Sequence, residues 1–263
     1  PAGRRNRLIV NRLARDGFNE IVVTGGIPFK GSRKRFYLSI TNPALFTALT
    51  FKSFLAKAGI EFKGNVRMGK APEDAALLVR HDSEPLALIL RGLNKFSNNF
   101  VAEQLTKTLA ADQFGPPGTT ENGVKIIESY MKSLGYSPPR FTLVDGSGLS
   151  RQNRLSPDQI VSVLRAVYKD LSVYPELIAS LAVMGLDGSV QDRMNGNPAA
   201  RRARVKTGTL NSVSAISGYF QSQGGEKFVF SIMMNDLKCN NNAALKLQDK
   251  ILREGLNFKR HLD

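Results

Sequence analysis

Histidine and cysteine are almost missing from this sequence. Two histidines, His81 and His261, and one cysteine, Cys239, occur in 263 residues. That scarcity excludes a metal site built from several imidazoles or thiolates, so no cofactor is expected. A Ser-His-Asp triad would have to use His81 or the near-terminal His261, and neither stands in a suggestive context. A hydrolase built from this chain would take lysine as its base. One cysteine forms no internal disulfide and says little about compartment. No apolar run is long enough to span a membrane. The first twenty residues are polar and Arg-rich and lack the apolar core of a signal peptide. That leaves a cytoplasmic protein, or a chain whose true N-terminus lies elsewhere. There is no internal repeat and no low-complexity tract.

Basic charge is abundant. The net charge is +15, from 37 Lys and Arg against 22 Asp and Glu. Residues 1–35 hold nine basic side chains (Arg4, Arg5, Arg7, Arg12, Arg15, Lys30, Arg33, Lys34, Arg35) against Asp16 and Glu20. Such a surface attracts polyanions such as nucleic acid, acidic lipid or acidic cell-wall polymer. No zinc-finger spacing, basic zipper or aromatic RNA-binding motif accompanies it, so no specific nucleic-acid partner is expected. A soluble protein with a basic face is the plain alternative. A hydrophobic fraction of 42% in 263 residues is enough for one large domain or two smaller ones.

Residues 1–70 read as one region. Glu20–Thr24 and Arg35–Ile40 alternate like strands, with a Gly25-Gly26 and Pro28 break between them. Asn42-Pro43 opens a helix with Leu45, Phe46, Leu49, Phe54, Leu55 and Ala58 at helical spacing, and Gly59 closes it. Ile60–Val66 suggests another strand. The segment from Arg4 to Arg15 is too charged to anchor a core and reads as a piece whose partners lie elsewhere. The polar, turn-rich tract 64–74 is the candidate boundary. Beyond it, Ala75–Val79 reads as a strand. Pro85 starts a helix through Leu86, Ile89, Leu90 and Leu93, and a second follows with Val101, Leu105 and Leu109. Ser97 is well placed as the N-cap of that second helix. Gly123–Leu134 is an amphipathic helix. Phe141–Val144 is a short strand running into the turn Asp145-Gly146-Ser147-Gly148-Leu149-Ser150. Ser156-Pro157 starts a further helix, and Asn241–Arg253 is the closing helix, ended by Gly255.

The chain is organised around Arg204–Phe220. Val205-Lys206-Thr207-Gly208-Thr209 reads as a strand carrying one lysine and two hydroxyls, with a glycine between them. Glycine inside a strand often marks the close approach of a ligand or another backbone. Beside a lysine, it suggests an edge along which an extended anionic substrate lies. Ser212–Phe220 and Phe228–Met234 follow as antiparallel partners around a Gln221–Glu226 turn. Lys-Thr-Gly alone is weak, since chance supplies it in roughly one chain of this length in twenty. A solvated lysine before a turn is the alternative.

The joint pattern is specific. Ser97-x-Asn99, then Asp145-Gly146-Ser147-Gly148-Leu149-Ser150, then Lys206-Thr207-Gly208-Thr209, in that order, resemble the D-alanyl-D-alanine carboxypeptidase/endopeptidase family. These are the class C low-molecular-mass penicillin-binding proteins. The tracts Ser97-Asn98-Asn99-Phe100-Val101-Ala102-Glu103-Gln104 and Gly148–Pro157 resemble it as well. The likeness is close from about Leu77 onward and looser over residues 20–70.

The resemblance implies an α+β, serine β-lactamase-like penicillin-binding fold, an antiparallel sheet flanked by helices. Residues 1–70 would be the tail of an inserted accessory domain, and residues 71–263 the C-terminal part of the penicillin-binding domain. Ser97, Asn99 and Lys206 would be catalytic: Ser97 relays a proton to the leaving amine and Asn99 holds the substrate amide. Lys206 would supply positive charge to the substrate's terminal carboxylate. Thr207, Gly208 and Thr209 would bind substrate, with the Thr209 N–H as half of an oxyanion hole. The implied partners are peptidoglycan peptides ending in D-Ala-D-Ala, and β-lactams, in a bacterial periplasm or cell envelope.

One departure is severe. The family's nucleophile sits in a Ser-x-x-Lys motif upstream of Ser-x-Asn, its lysine acting as base one helical turn on. Only Ser129-Tyr130-Met131-Lys132 has that spacing here. It lies downstream of Ser97, and on its helix Ser129 points away from the apolar face. The expectation is that the nucleophile segment is missing from this chain, which is then inactive alone and needs that N-terminal segment as its partner. The alternative is a nucleophile-free module with the same fold that binds peptidoglycan or another polyanion.

Overall fold

In the computed structural model, which describes residues 8–15, 18–27, 34, 36–238 and 241–260, the chain divides into two units between Arg80 and His81. The composition-based boundary lay within 64–74. Residues 58–85 form no helix or strand, so composition marks this tract but not the point of division within it. Cys239, His261 and several of the N-terminal basic residues, among them Arg4, Arg5, Arg7, Lys30, Arg33 and Arg35, lie outside the described residues.

In the first unit, β1 (Ile9–Arg15) pairs antiparallel with β2 (Phe18–Thr24), with Ile9 opposite Thr24 and Arg15 opposite Phe18. The segment expected to be without a local partner therefore finds one next door. Its charges do not oppose this, because they stay in water: Arg15 pairs with Glu20 at 2.7 Å, and Arg12 donates to Asn19 and Thr41. Helix α1 (Pro43–Lys57) starts as its sequence predicts. Asn42 accepts the Leu45 N–H, proline stands in the first turn, and Gly59 follows with φ +80°. Two expected strands do not form. Residues 36–40 and 60–66 are irregular. Alternation alone does not make a strand; it needs an adjacent backbone to pair with.

The second unit carries the core. Helices α2 (Leu86–Phe96), α3 (Asn99–Phe114), α4 (Thr120–Ser133), α5 (Pro157–Tyr168) and α6 (Tyr174–Ser180) lead into a four-stranded antiparallel sheet. Its strands β3 (Ala182–Val183), β4 (Ala203–Leu210), β5 (Val213–Gln221) and β6 (Lys227–Met234) lie side by side in that order, and α7 (Asn241–Asn257) closes the unit. No helix among the described residues is long and apolar enough to cross a membrane.

The predicted strand at Ala75–Val79 is absent, and Leu78 is 93% exposed. Phe141–Val144 is reduced to a single bridge, Thr142 opposite Arg154. Helix α5 opens with a capping box, Ser156 and Gln159 satisfying each other's backbone N–H groups.

Side chains on β4 and β5 alternate between two faces. Ala203, Val205 and Ile216 are buried against Leu252 and Leu256 of α7. Gly255 was expected to end this helix, yet the helix continues to Asn257. The glycine is there for a different reason: a Cβ on it would lie 2.7 Å from Cζ of Phe220. The opposite face meets α5, where the Tyr219 hydroxyl donates to the Leu164 carbonyl at 2.7 Å. Lys206 stands opposite Ser217, and so projects on the face away from α7.

Candidate active site

The junction between α2 and α3 delivers Ser97. Its backbone is left-handed, with φ 56° and ψ 52°, a conformation uncommon for a residue with a side chain. Ser97 is not the N-cap of α3. Asn98 holds that position, its side chain accepting the Val101 N–H at 3.2 Å. Three consecutive residues, Ser97, Asn98 and Asn99, have the chemistry of a cap, and only the local turn selects among them. The Ser97 hydroxyl is thereby left for another partner.

That partner is Lys206. Its Nζ donates to Ser97 Oγ at 2.7 Å and to the Thr207 carbonyl at 2.8 Å. Both acceptors are uncharged oxygens. Burial pushes the Lys206 ammonium below the ordinary lysine range. A half-buried cation with no carboxylate paired to it among the described residues favours an incoming anion.

The strand beneath supplies an edge. β3 pairs only with Arg204 and Val205, and among the described residues no strand pairs with the outer side of Lys206–Leu210. The Ala203 carbonyl accepts the Met184 N–H on that outer side. Backbone groups along a strand alternate sides with a period of two. The N–H and C=O of Thr207 and Thr209 therefore face the open edge. Gly208 is exposed, and an added Cβ would meet nothing nearer than Ala215 Cβ at 3.7 Å. The protein's own packing does not demand glycine at this position.

The remaining expected residues are placed as follows. Thr207 Oγ1 lies 2.7 Å from Ser189 Oγ, and Thr209 is exposed further along β4. Asn99 is the exposed first residue of α3, two positions from Ser97. Ser129 is exposed on α4 with its hydroxyl bonded to the Lys125 carbonyl, and Lys132 is exposed too.

Sequence reasoning missed several contributors. Ser189 belongs to a short 3-10 turn, Gly188–Val190, just after β3. Lys95, only 6% exposed, pairs with Asp187 at 2.6 Å behind that turn. Arg151 donates to the Asn211 carbonyl at 2.5 Å, tying the 145–150 turn to the end of β4. That turn is itself held rigidly. Glu103 accepts the Gly146 and Ser147 N–H groups, and Asp145 accepts those of Gly148 and Ser150. Burial alone would raise the Asp145 pKa, but these bonds and one from Asn153 hold it below the usual carboxylate range.

The serine–lysine pair, the rigid glycine turn and the half-open strand can be set beside known proteins. A family model described as the D-Ala-D-Ala carboxypeptidase 3 (S13) family matches residues 5–254. The chain belongs to this family. It is 34% identical over 258 residues to a D-alanyl-D-alanine carboxypeptidase of Actinomadura sp. (strain R39), covering 95% of this chain and 47% of that protein. It is 30% identical over 206 residues to the D-alanyl-D-alanine carboxypeptidase DacB of Haemophilus influenzae, covering 77% of this chain and 43% of that protein. The chain thus spans about half the length of the curated relatives it matches.

The fold agrees with the family. The crystal structure of penicillin binding protein 4 (dacB) from Haemophilus influenzae, complexed with a β-lactam, superposes with a TM-score of 0.77 at 25% identity. The match covers 95% of this chain and 60% of that one. The α+β penicillin-binding fold inferred from the motifs is therefore the fold of this S13 chain.

Proposed function

We propose that this chain carries the substrate-binding part of a serine-type D-Ala-D-Ala carboxypeptidase/endopeptidase that acts on peptidoglycan peptides through an acyl-enzyme. The observation that carries the reading is the Lys206 ammonium, bonded to Ser97 and, among the described residues, to no carboxylate, at the head of a strand edge that no described strand pairs with. A peptide ending in D-Ala-D-Ala presents an extended backbone and a terminal carboxylate. The open edge suits the backbone by strand addition. Lys206, with the Thr207 and Thr209 hydroxyls, suits the carboxylate. The Thr209 N–H faces the edge, where an oxyanion would form on the scissile carbonyl.

In this reading an activated serine attacks the carbonyl of the penultimate D-alanine. The C–N bond breaks, and Ser97 passes a proton to the departing amine. Water then hydrolyses the ester. Asn99 holds the substrate amide. The attacking serine and its lysine base come from a Ser-x-x-Lys segment outside these 263 residues, since Ser129 and Lys132 lie exposed on α4. Residues 1–70 are the end of an inserted accessory domain in the same protein, which works in the bacterial cell envelope.

The test is a fluorescent penicillin, incubated with this chain and with the full-length gene product, each then resolved under denaturing conditions. The expected result is a covalent label on the full-length product only. A lone serine without an adjacent base is a weak nucleophile. A stoichiometric label on this chain would move the nucleophile into it, with Ser97 and Ser129 the first to map. Failure of both to label, with salt-sensitive binding of peptidoglycan retained, would replace the enzyme with a binding module.

A further inference from the structure

Lys95 is a buried cation in no part of the chemistry above. Its Nζ donates to Asp187 Oδ2 at 2.6 Å and to the Leu181 carbonyl at 3.0 Å. Asp187 uses its other oxygen to accept the Val183 N–H at 2.8 Å. Burial by itself would raise the Asp187 pKa. The bonds from Lys95 and Val183, with the charges of Lys95 and Arg204, hold it below the usual carboxylate range.

The pair joins two segments that both end in the site. Lys95 stands two residues before Ser97, in the last turn of α2. Asp187 stands two residues before Ser189, whose hydroxyl is bonded to Thr207. Between Asp187 and Ser189 lies Gly188, with φ +60°, where a Cβ would fall 2.5 Å from the Lys95 carbonyl. The turn is thus pressed against the end of α2 as closely as a glycine allows. On the other flank, Asn94 donates to Ser180 at 2.7 Å and fixes the same helix end to α6.

Ser97 keeps an unfavourable left-handed backbone, and such residues persist only where their surroundings over-determine them. Lys95 is buried but the Asp187 side chain is 35% exposed, and an ion pair partly open to water is a poor device for stability alone. We propose that Lys95 and Asp187 form a positioning pair that sets the Ser97 hydroxyl and the Ser189–Thr207 contact around the Lys206 ammonium. Its catalytic meaning rests on the carboxypeptidase reading above; its effect on the geometry of Lys206 does not. Neither residue touches substrate. The pair acts through Ser97 and Thr207.

The test uses this chain with isotope-labelled lysine, the Lys206 resonance being assigned by its loss in Lys206→Met. Asp187→Asn is the first variant. The amide replaces one of the two accepting oxygens by an NH2 donor, which must face either Lys95 or the Val183 N–H. Lys95→Met with Asp187→Leu is the second, removing both charges together. The expected result is a folded protein whose Lys206 resonance moves toward those of the exposed lysines and titrates nearer the ordinary lysine range. In the full-length product, penicillin acylation should slow at least tenfold, with weaker binding of the carboxylate-bearing penicillin. An unchanged Lys206 signal in either folded variant overturns the proposal. Failure of both variants to fold would make the pair a folding element and overturn it equally. A shifted Lys206 signal in a protein that never reacts with penicillin would instead count against the carboxypeptidase reading and leave the pair's role standing.

Discussion

Lys206 Nζ lies 2.7 Å from Ser97 Oγ, although 109 residues separate them in sequence. The contact exists only when the sheet and the α2–α3 junction have both formed. It therefore reports assembly of the whole site. It also tells which serine chemistry is available. A hydroxyl that accepts from an ammonium keeps its own proton free to donate, as a proton relay requires.

The first prediction separates Ser97 from Asn98. Asn98→Ala removes the true cap of α3 and should cost about 1 kcal/mol of stability. Ser97→Gly relieves the left-handed backbone but removes an acceptor of the Lys206 ammonium, two opposed effects of roughly 1–2 kcal/mol each, so stability should change little. The same change deletes the hydroxyl and should slow turnover of the full-length product at least tenfold. Denaturant titration and penicillin acylation check the two halves. Ser97→Gly with unimpaired acylation would return this serine to a purely structural role.

This distinction marks the limit of what sequence makes legible. The β4–β5–β6 hairpins are readable because Lys206–Thr209, Val213–Gln221 and Lys227–Met234 pair with their immediate neighbours across short turns. The α5 capping box is readable because both of its residues lie within four positions. The cap of α3 is not, because Ser97, Asn98 and Asn99 are equally suitable by chemistry and a lysine in a remote strand engages Ser97. Lys95 carries no local signal of its role, and no pattern links it to Asp187 across 92 residues. Ala75–Val79 has a strand's composition, but among the described residues no strand pairs with it. Of the joint motifs, Ser97 and the glycine turn sit at breaks between regular elements while Lys206 stands within β4, and the structure brings Ser97 and Lys206 into contact.

The second prediction concerns pH. Burial lowers the Lys206 pKa in the folded chain, so within a window below the ordinary lysine value the unfolded chain binds the extra proton. Stability then rises with pH across that window. Below it, both states are charged and the cost of burying the ammonium remains. Lys206→Met lacks this dependence. The melting temperature of the wild type, relative to that of Lys206→Met, should climb as pH rises from neutral toward the lysine range. A pH-independent difference would show that Lys206 titrates normally. Acylation of the full-length product should decline over the same window, as the carboxylate loses its cation.

Lys206→Met supplies the third prediction. The side chain keeps most of its length and loses its charge. A hydrogen bond to a charged group contributes about 1.5–3 kcal/mol, so binding of a carboxylate-bearing β-lactam should weaken by roughly tenfold to a hundredfold. A β-lactam whose carboxylate is esterified should lose much less. Equal losses for the free acid and the ester would show that Lys206 does not read the carboxylate.

The last prediction compares two glycines on adjacent strands. Gly218 on β5 has φ +153°, and a Cβ there would sit 2.1 Å from the Arg204 carbonyl oxygen. That oxygen belongs to backbone and cannot swing aside. Gly218→Ala should therefore prise β4 from β5 and destabilise the fold by several kcal/mol, in the manner of an overpacked core. Gly208 on β4 stands opposite Ala215, and its nearest contact with an added methyl is an ordinary 3.7 Å. Gly208→Ala should leave stability unchanged or raise it by about 0.5 kcal/mol, because glycine in a strand loses more chain entropy on folding. If the open edge receives an extended peptide, the new methyl meets the substrate rather than the protein. The full-length Gly208→Ala product should then fold normally and lose at least tenfold in penicillin acylation. Thermal melting and acylation rate, measured on both variants, check the contrast. A stable Gly208→Ala variant with undiminished acylation would show that substrate does not pack along Lys206–Thr209.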